Sequence, residues 1–85
     1  MTDTLQPAFR ALADPTRRAI LHMLGQQDMT IAQVSDHFDM TRAAVKKHLN
    51  VLQQGDLIQV RARGRERINK LHADGIKPVL DWLTF

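Results

Sequence analysis

Thr30 and Thr41 each stand directly before a run of apolar residues at helical spacing, and only Asp39-Met40 separates the two runs. The side-chain oxygen of a residue preceding a helix accepts a hydrogen bond from one of the helix's otherwise unbonded N–H groups, so each threonine reads as the cap of a new helix. Ile31, Val34 and Phe38 form the inner face of the first; Val45, Leu49 and Leu52 form that of the second, over 41–54. The two residues between them leave room for a tight turn and nothing more. The chain is thereby committed to a helix-turn-helix.

The flanks follow the same logic. Leu5, Phe9 and Leu12 recur at helical spacing and predict a short first helix ending near Ala13, because Asp14-Pro15 follows. Asp14 as cap and Pro15 at the first helical position open a second helix with Ala19, Ile20, Met23 and Leu24 inward and Gly25 closing it. Gly55 stands where a left-handed terminator of helix 41–54 belongs. Beyond it, 57–63 and 66–71 flank Gly64 as the strands of a β-hairpin, with Ile58, Val60 and Ala62 on one face and Gln59, Arg61 and Arg63 on the wet one. Ile76, Val79, Leu80 and Leu83, with Trp82, describe a last amphipathic helix running to Phe85. The expected fold is mostly α with a small β-hairpin wing, a winged helix-turn-helix. At 85 residues the chain encloses one modest core, so 1–85 forms a single domain that a second subunit would help to stabilise.

Charge is distributed unevenly along this frame. Residues 42–70 hold eight lysines and arginines against Asp56 and Glu66, a net +6, while the remainder carries a net −3. A basic side opposite an acidic one suits docking on a polyanion. On helix 41–54 the outward face holds Ala43, Lys46, Lys47, Asn50 and Gln54 and no acid. An α-helix fits the major groove of duplex DNA, where Lys46 or Asn50 reach base edges and Arg42, Lys47 and the hydroxyl and amide of Thr41 grip phosphates. Ala43 is small enough to let the helix sit close. His48, beside the buried stripe, packs or donates to a phosphate. Arg61, Arg63, Arg65 and Arg67 lie on a narrow projection able to reach flanking backbone or a minor groove. A lysine-rich helix face or an arginine-rich hairpin alone is usually just a solvated surface; their adjacency within this framework points to double-stranded DNA as partner.

Other classes find little support. No cysteine is present, which removes disulfides, thiolate metal sites and cysteine nucleophiles and fits a reducing compartment. Scattered aspartates and four glycines assemble no catalytic triad, paired-acid cleft or phosphate-cradling loop, so neither an enzyme nor a cofactor is expected. The start of the chain lacks a secretory signal and no stretch is long enough to span a bilayer, which predicts a cytoplasmic protein without membrane contact. The competing reading is a winged-helix protein-interaction module that never touches DNA; acidic charge on the reading face would have favoured it.

The run Phe9-Arg-Ala-Leu-Ala-Asp-Pro-Thr-Arg-Arg-Ala-Ile-Leu, then Met29-Thr-Ile-Ala-Gln-Val, Ala44-Val-Lys-Lys-His-Leu-Asn-Val-Leu, Gly55-Asp-Leu-Ile and Gly64-Arg-Glu-Arg, resembles the ArsR/SmtB family of bacterial winged helix-turn-helix repressors. The resemblance covers nearly the whole chain. It implies a homodimer joined through the first and last helices, with two recognition helices set for successive major grooves of a near-palindromic operator. Leu5, Phe9, Val79, Trp82, Leu83 and Phe85 are the matching interface candidates, since a core this small does not readily hide that much apolar surface. Many members sense metals, and here the chain departs. Thr30-Ile-Ala-Gln-Val-Ser-Asp-His carries no thiolate, the tail offers only His72, Asp74 and Asp81, no histidines pair at i, i+4, and His22 and His37 look solvent-facing. A branch of the family that senses no metal is expected, and the residues name no effector.

Overall fold

The computed structural model describes residues 4–85, so the first three positions of the expected 1–85 domain, and with them the start of the expected signal-free N-terminus, lie outside the described residues. In chain order the elements are α1 (Gln6–Leu12), α2 (Pro15–Gln26), β1 (Met29–Thr30), α3 (Ile31–Phe38), α4 (Arg42–Gln54), β2 (Ile58–Arg63), β3 (Glu66–Leu71) and α5 (Ala73–Leu83). The helix starts sit where local chemistry puts them. Asp14 accepts the Arg17 N–H at 2.9 Å ahead of Pro15. Thr30 and Gln33 cap each other reciprocally, the Gln33 N–H donating to Thr30 Oγ1 at 3.2 Å and the Thr30 N–H to Gln33 Oε1 at 2.8 Å. Thr41 Oγ1 accepts the Ala44 N–H at 3.1 Å.

The sheet has three strands, where the sequence predicts a two-stranded hairpin. Its order is β1-β3-β2, all antiparallel, with Met29 opposite Asn69 and Thr30 opposite Ile68. A helix cap needs extended backbone, and Thr30 at φ −77° and ψ 165° therefore already has the shape of a strand residue. Buried Asn69 secures the pairing by donating its side-chain amide to the Met29 carbonyl at 3.1 Å. The hairpin itself turns at Gly64-Arg65, and Gly64 is its residue of positive φ, at 61°.

Two glycines do other work than expected. Gly25 lies within α2, which ends at Gln26 with an extended Gln27 after it. Gly55, at φ −81°, is not left-handed either; Asp56 adopts that conformation, at φ 61°. What Gly55 supplies is proximity: a Cβ there would stand 2.9 Å from the Ala8 Cα, so its absence lets α1 cross directly over the end of α4. Gly75 is tighter still, since a Cβ would lie 1.6 Å from the Asp56 carbonyl oxygen. The first turn of α5 is thus pressed against the corner between α4 and β2, and His72 Nδ1 adds a 3.0 Å contact to Asp56 Oδ1.

The core runs between the helices and the sheet. Ile20, Val34, Val45, Leu52, Leu57 and Ile58 are its largest fully buried side chains, drawn from α2, α3, α4 and the start of the wing. Ala19 and Ala62, expected to face inward, are exposed. The last helix begins at Ala73, carries Pro78 in its interior and stops at Leu83, two residues before the expected end. Pro78 lacks the N–H that would bond one turn back. Among the described residues no helix is long and apolar enough to cross a membrane.

Candidate nucleic-acid interface

The turn that sets α4 against α3 is built from Asp39, in left-handed backbone at φ 52°, and from Ser35, whose hydroxyl donates to the Met40 carbonyl. Val45, Leu49 and Leu52 then seat one side of α4 in the core. Thr41, Arg42, Ala43, Lys46, Lys47 and Asn50 are left exposed, as the 100° turn per residue predicts. No acidic residue occupies the first turn, and Arg42 stands there instead. A helix N-terminus carries partial positive charge from its unbonded N–H groups, and a cation placed near it costs about 0.3–1 kcal/mol. The start of α4 is therefore locally unfavourable until an anion approaches.

The wing arginines are all exposed but divide between two faces. Residues opposite one another in an antiparallel pair share a face. Arg67 pairs with Ala62 and so lies on the side of Val60 and Asn69, whereas Arg61 pairs with Ile68 and Arg63 with Glu66 on the other. The Val60 side fronts α4 across a cleft of about 220 Å³ that Lys46, Asn50, Gln53 and Arg67 line. Arg61 borders a separate polar cleft with Gln53, Asp56 and Gln59. The basic residues thus frame the groove between helix and wing and also extend around its outer edge.

None of Arg42, Lys46, Lys47, Arg61, Arg63, Arg65, Arg67 and Lys70 has an ion-pair or hydrogen-bond partner for its side chain among the described residues. The ion pairs are His48 with Asp14, His72 with Asp56 and Lys77 with Asp81. The eight lie along one stretch of chain on α4 and both faces of the wing, and among the described residues no carboxylate forms an ion pair with any of them, although Glu66 stands opposite Arg63 in the hairpin.

Comparison with known proteins agrees with this architecture. The sequence profile of a helix-turn-helix domain family matches residues 12–61. The transcriptional repressor SdpR of Bacillus subtilis is 32% identical over 75 residues, covering 88% of this chain and 83% of that protein. Among solved structures, the ArsR family transcriptional regulator RHA00566 superposes with a TM-score of 0.86 at 33% identity, covering 96% of this chain and 90% of the other. A winged helix-turn-helix domain of Mycobacterium bovis shares the fold, with a TM-score of 0.83 at 20% identity, over 96% of this chain and 76% of that one. The chain belongs to the ArsR family of transcriptional regulators.

Within this ArsR-family chain the remaining expected site residues fall in different places. His48 is half-buried and turned away from the reading face, its Nδ1 4.0 Å from Asp14 Oδ2 at the start of α2. Its expected packing role fits that position better than a phosphate contact. Of the interface candidates, Val79 is 3% exposed and belongs to the chain's own core. Leu5 and Phe9 pack partly against that core, and Phe9 meets Trp82 edge-on at 5.2 Å. Trp82, Leu83 and Phe85 are open to solvent together with Leu80, which belongs with them although it was not among the candidates. Its signal was present: Leu80 and Leu83 sit one turn apart on α5.

His22 and His37 are exposed, and among the described residues no three His, Cys, Asp or Glu side chains are grouped closely enough to hold a metal. Sequence reasoning takes Arg17 and Arg18 as charge and as part of the run that carries the resemblance, and assigns them no partner. In the fold they bind the end of α1: Arg17 Nε donates to the Ala11 carbonyl and Nη2 to that of Arg10, each at 2.9 Å, and Arg18 Nη1 to that of Leu12 at 2.7 Å. A short helix ending just before another begins leaves carbonyls for nearby cations to satisfy, and that juxtaposition was legible.

Proposed function

We propose that this regulator is a homodimeric repressor that binds a near-palindromic duplex operator, with α4 in the major groove and the wing on flanking DNA. The observation that carries the reading is the set of eight unpaired cations on α4 and the wing. Cations left unpaired beside one another repel, and a phosphate backbone relieves that cost. Lys46 and Asn50 reach base edges; Thr41, Arg42 and Lys47 hold the backbone, with Ala43 allowing close approach.

The exposed Leu80, Trp82 and Leu83, continuous through Trp82 with Phe9 of α1, supply the two-fold interface. Two recognition helices then address half-sites about one helical turn apart. Duplex DNA as ligand places the protein in the cytoplasm and in a binding rather than a catalytic role. Because His72 is engaged with Asp56 and the α3 region offers no thiolate, the signal that releases the operator is something other than a metal.

The test is a selection of duplexes from a random pool by the purified protein, followed by titration of the selected sequence at several salt concentrations. Enrichment of a two-fold sequence and a steep fall in affinity with salt support the reading. Equal binding of all sequences, or affinity independent of salt, removes it.

A further inference from the structure

The groove between α4 and the wing does not end at Asn50. A second cleft, of about 340 Å³, opens at its other end, walled by Arg42 of α4 and by Arg65 and Arg67 of the wing, with Thr30, Ile31 and Ala32 as its floor. The two clefts share Ile31 and Arg67 and so adjoin one another along the groove. Along it α4 presents Arg42, Lys46 and Asn50, one turn apart and on one side of the helix.

Three guanidinium groups from two separate elements border the outer cleft, and none of them has a carboxylate partner among the described residues. The floor is uncharged, and the Thr30 hydroxyl already caps Gln33. Glu66 also lines the cleft without pairing with any of the three. Register explains why Arg67 turns here while Arg61 and Arg63 do not: it shares the face of Val60 and Asn69, which fronts α4, and they share the other. No aromatic side chain lines the cleft, so nothing there would stack a base or a nucleoside. What three planar, permanently charged forks can hold is a small tetrahedral anion with paired oxygens.

We propose that this cleft seats one backbone phosphodiester of the bound duplex, gripped jointly by the recognition helix and the wing. The proposal rests on the DNA-binding reading and refines it. Helix and wing are then not two independent patches on two grooves; they close on the same phosphodiester strand from either side, with α3 as the floor. Arg42 and Arg67 neutralise one phosphate together, and Glu66 opposes it.

The test uses the full chain and one fixed duplex, taken from the selection above, titrated over a range of salt with wild type, R42A, R67A, the double variant and E66Q. Each neutralised phosphate contributes about 0.9 to the slope of log affinity against log salt. Because a two-fold operator carries two such seats, a shared seat predicts a double variant whose slope falls by roughly two phosphates' worth per dimer, not four. It also predicts that the double variant's loss of affinity is well short of the product of the single losses. E66Q tightens binding without reducing the slope. Losses that multiply, with a slope reduced by four phosphates' worth per dimer, would overturn the shared seat while leaving DNA binding intact. A wild type whose binding ignores salt would remove both.

Discussion

Arg17 and Arg18 carry the same charge as Arg42 and the wing arginines, and they do the opposite kind of work. The first pair lies where a helix ends: α1 stops at Leu12, its last carbonyls have no partner within the helix, and the two guanidinium groups fill that need. The second group makes no such bond. Arg42 sits at a helix start, which exposes donors rather than acceptors, and Arg61 and Arg63 lie on the edge strand β2, from which they project without bonding a carbonyl. Spent cations stabilise the fold and unspent ones await a partner. Arg17 and Arg18 act within the molecule because the end of α1 leaves carbonyls within their reach, whereas Arg42 and the wing arginines make no contact of that kind.

The comparison breaks most sharply at Arg17. Replacing it by alanine takes the side-chain donor from the Ala11 carbonyl and leaves that of Arg10 with the Ala13 N–H alone, and hydrogen bonds involving a charged group contribute about 1.5–3 kcal/mol. A loss on the order of 2 kcal/mol lowers the melting temperature of a domain this size by roughly 10 °C at fixed protein concentration. The salt dependence of DNA binding should not move. A thermal scan paired with a salt titration checks both halves; an altered salt slope would place Arg17 with the wing arginines.

Asn50→Ala tests the other side. It should weaken binding to the selected operator by ~1–3 kcal/mol and leave random duplex almost unaffected. Arg63→Ala should weaken every sequence alike and lower the salt slope, with stability changed by no more than about 0.5 kcal/mol, as for most exposed substitutions. Equal losses on operator and random DNA for Asn50→Ala would reassign it from base edge to backbone.

The same distinction explains what the sequence made legible. Asp14, Thr30 and Thr41 cap their helices as read, because a cap is satisfied within four residues of itself. The outward face of α4 was equally plain, since periodicity fixes it once Val45, Leu49 and Leu52 are inside. What escaped depended on contacts made across the fold. A two-residue β1 has no periodicity to detect and exists only because β3 lies beside it. Gly55 reads as a helix terminator and Gly75 carries no local signal, yet both are required by close approaches, of Ala8 and of the Asp56 carbonyl, that are made across the fold. Val79 shares an apolar stripe with Leu83, and only the packing shows that one is in the core and the other outside. The division of the wing arginines between two faces follows from the pairing register set by the turn at Gly64.

The smallest expected effect lies at Asp14, where the spent arginine and the recognition helix meet one carboxylate. The Arg17 backbone N–H bound to it holds its pKa below the ordinary carboxylate value, with the charges of Arg17 and His48 acting in the same direction and partial burial opposing them. A folded-state pKa lowered in this way means that the ionised carboxylate stabilises the native protein. That contribution is complete above the unfolded value near 4 and is lost as the pH falls through the lower folded value. Asp14→Asn keeps a side-chain oxygen to cap α2 but removes the charge, so the variant should melt slightly below wild type at pH 6. The gap should narrow as the pH falls below about 4. Melting curves of the two proteins across that range measure it directly. A gap that stays constant down to pH 3 would mean that the charge contributes nothing and that the amide merely caps α2 less well than the carboxyl group. Asp14 would then serve α2 alone, and His48 would be held to α2 by packing rather than by attraction.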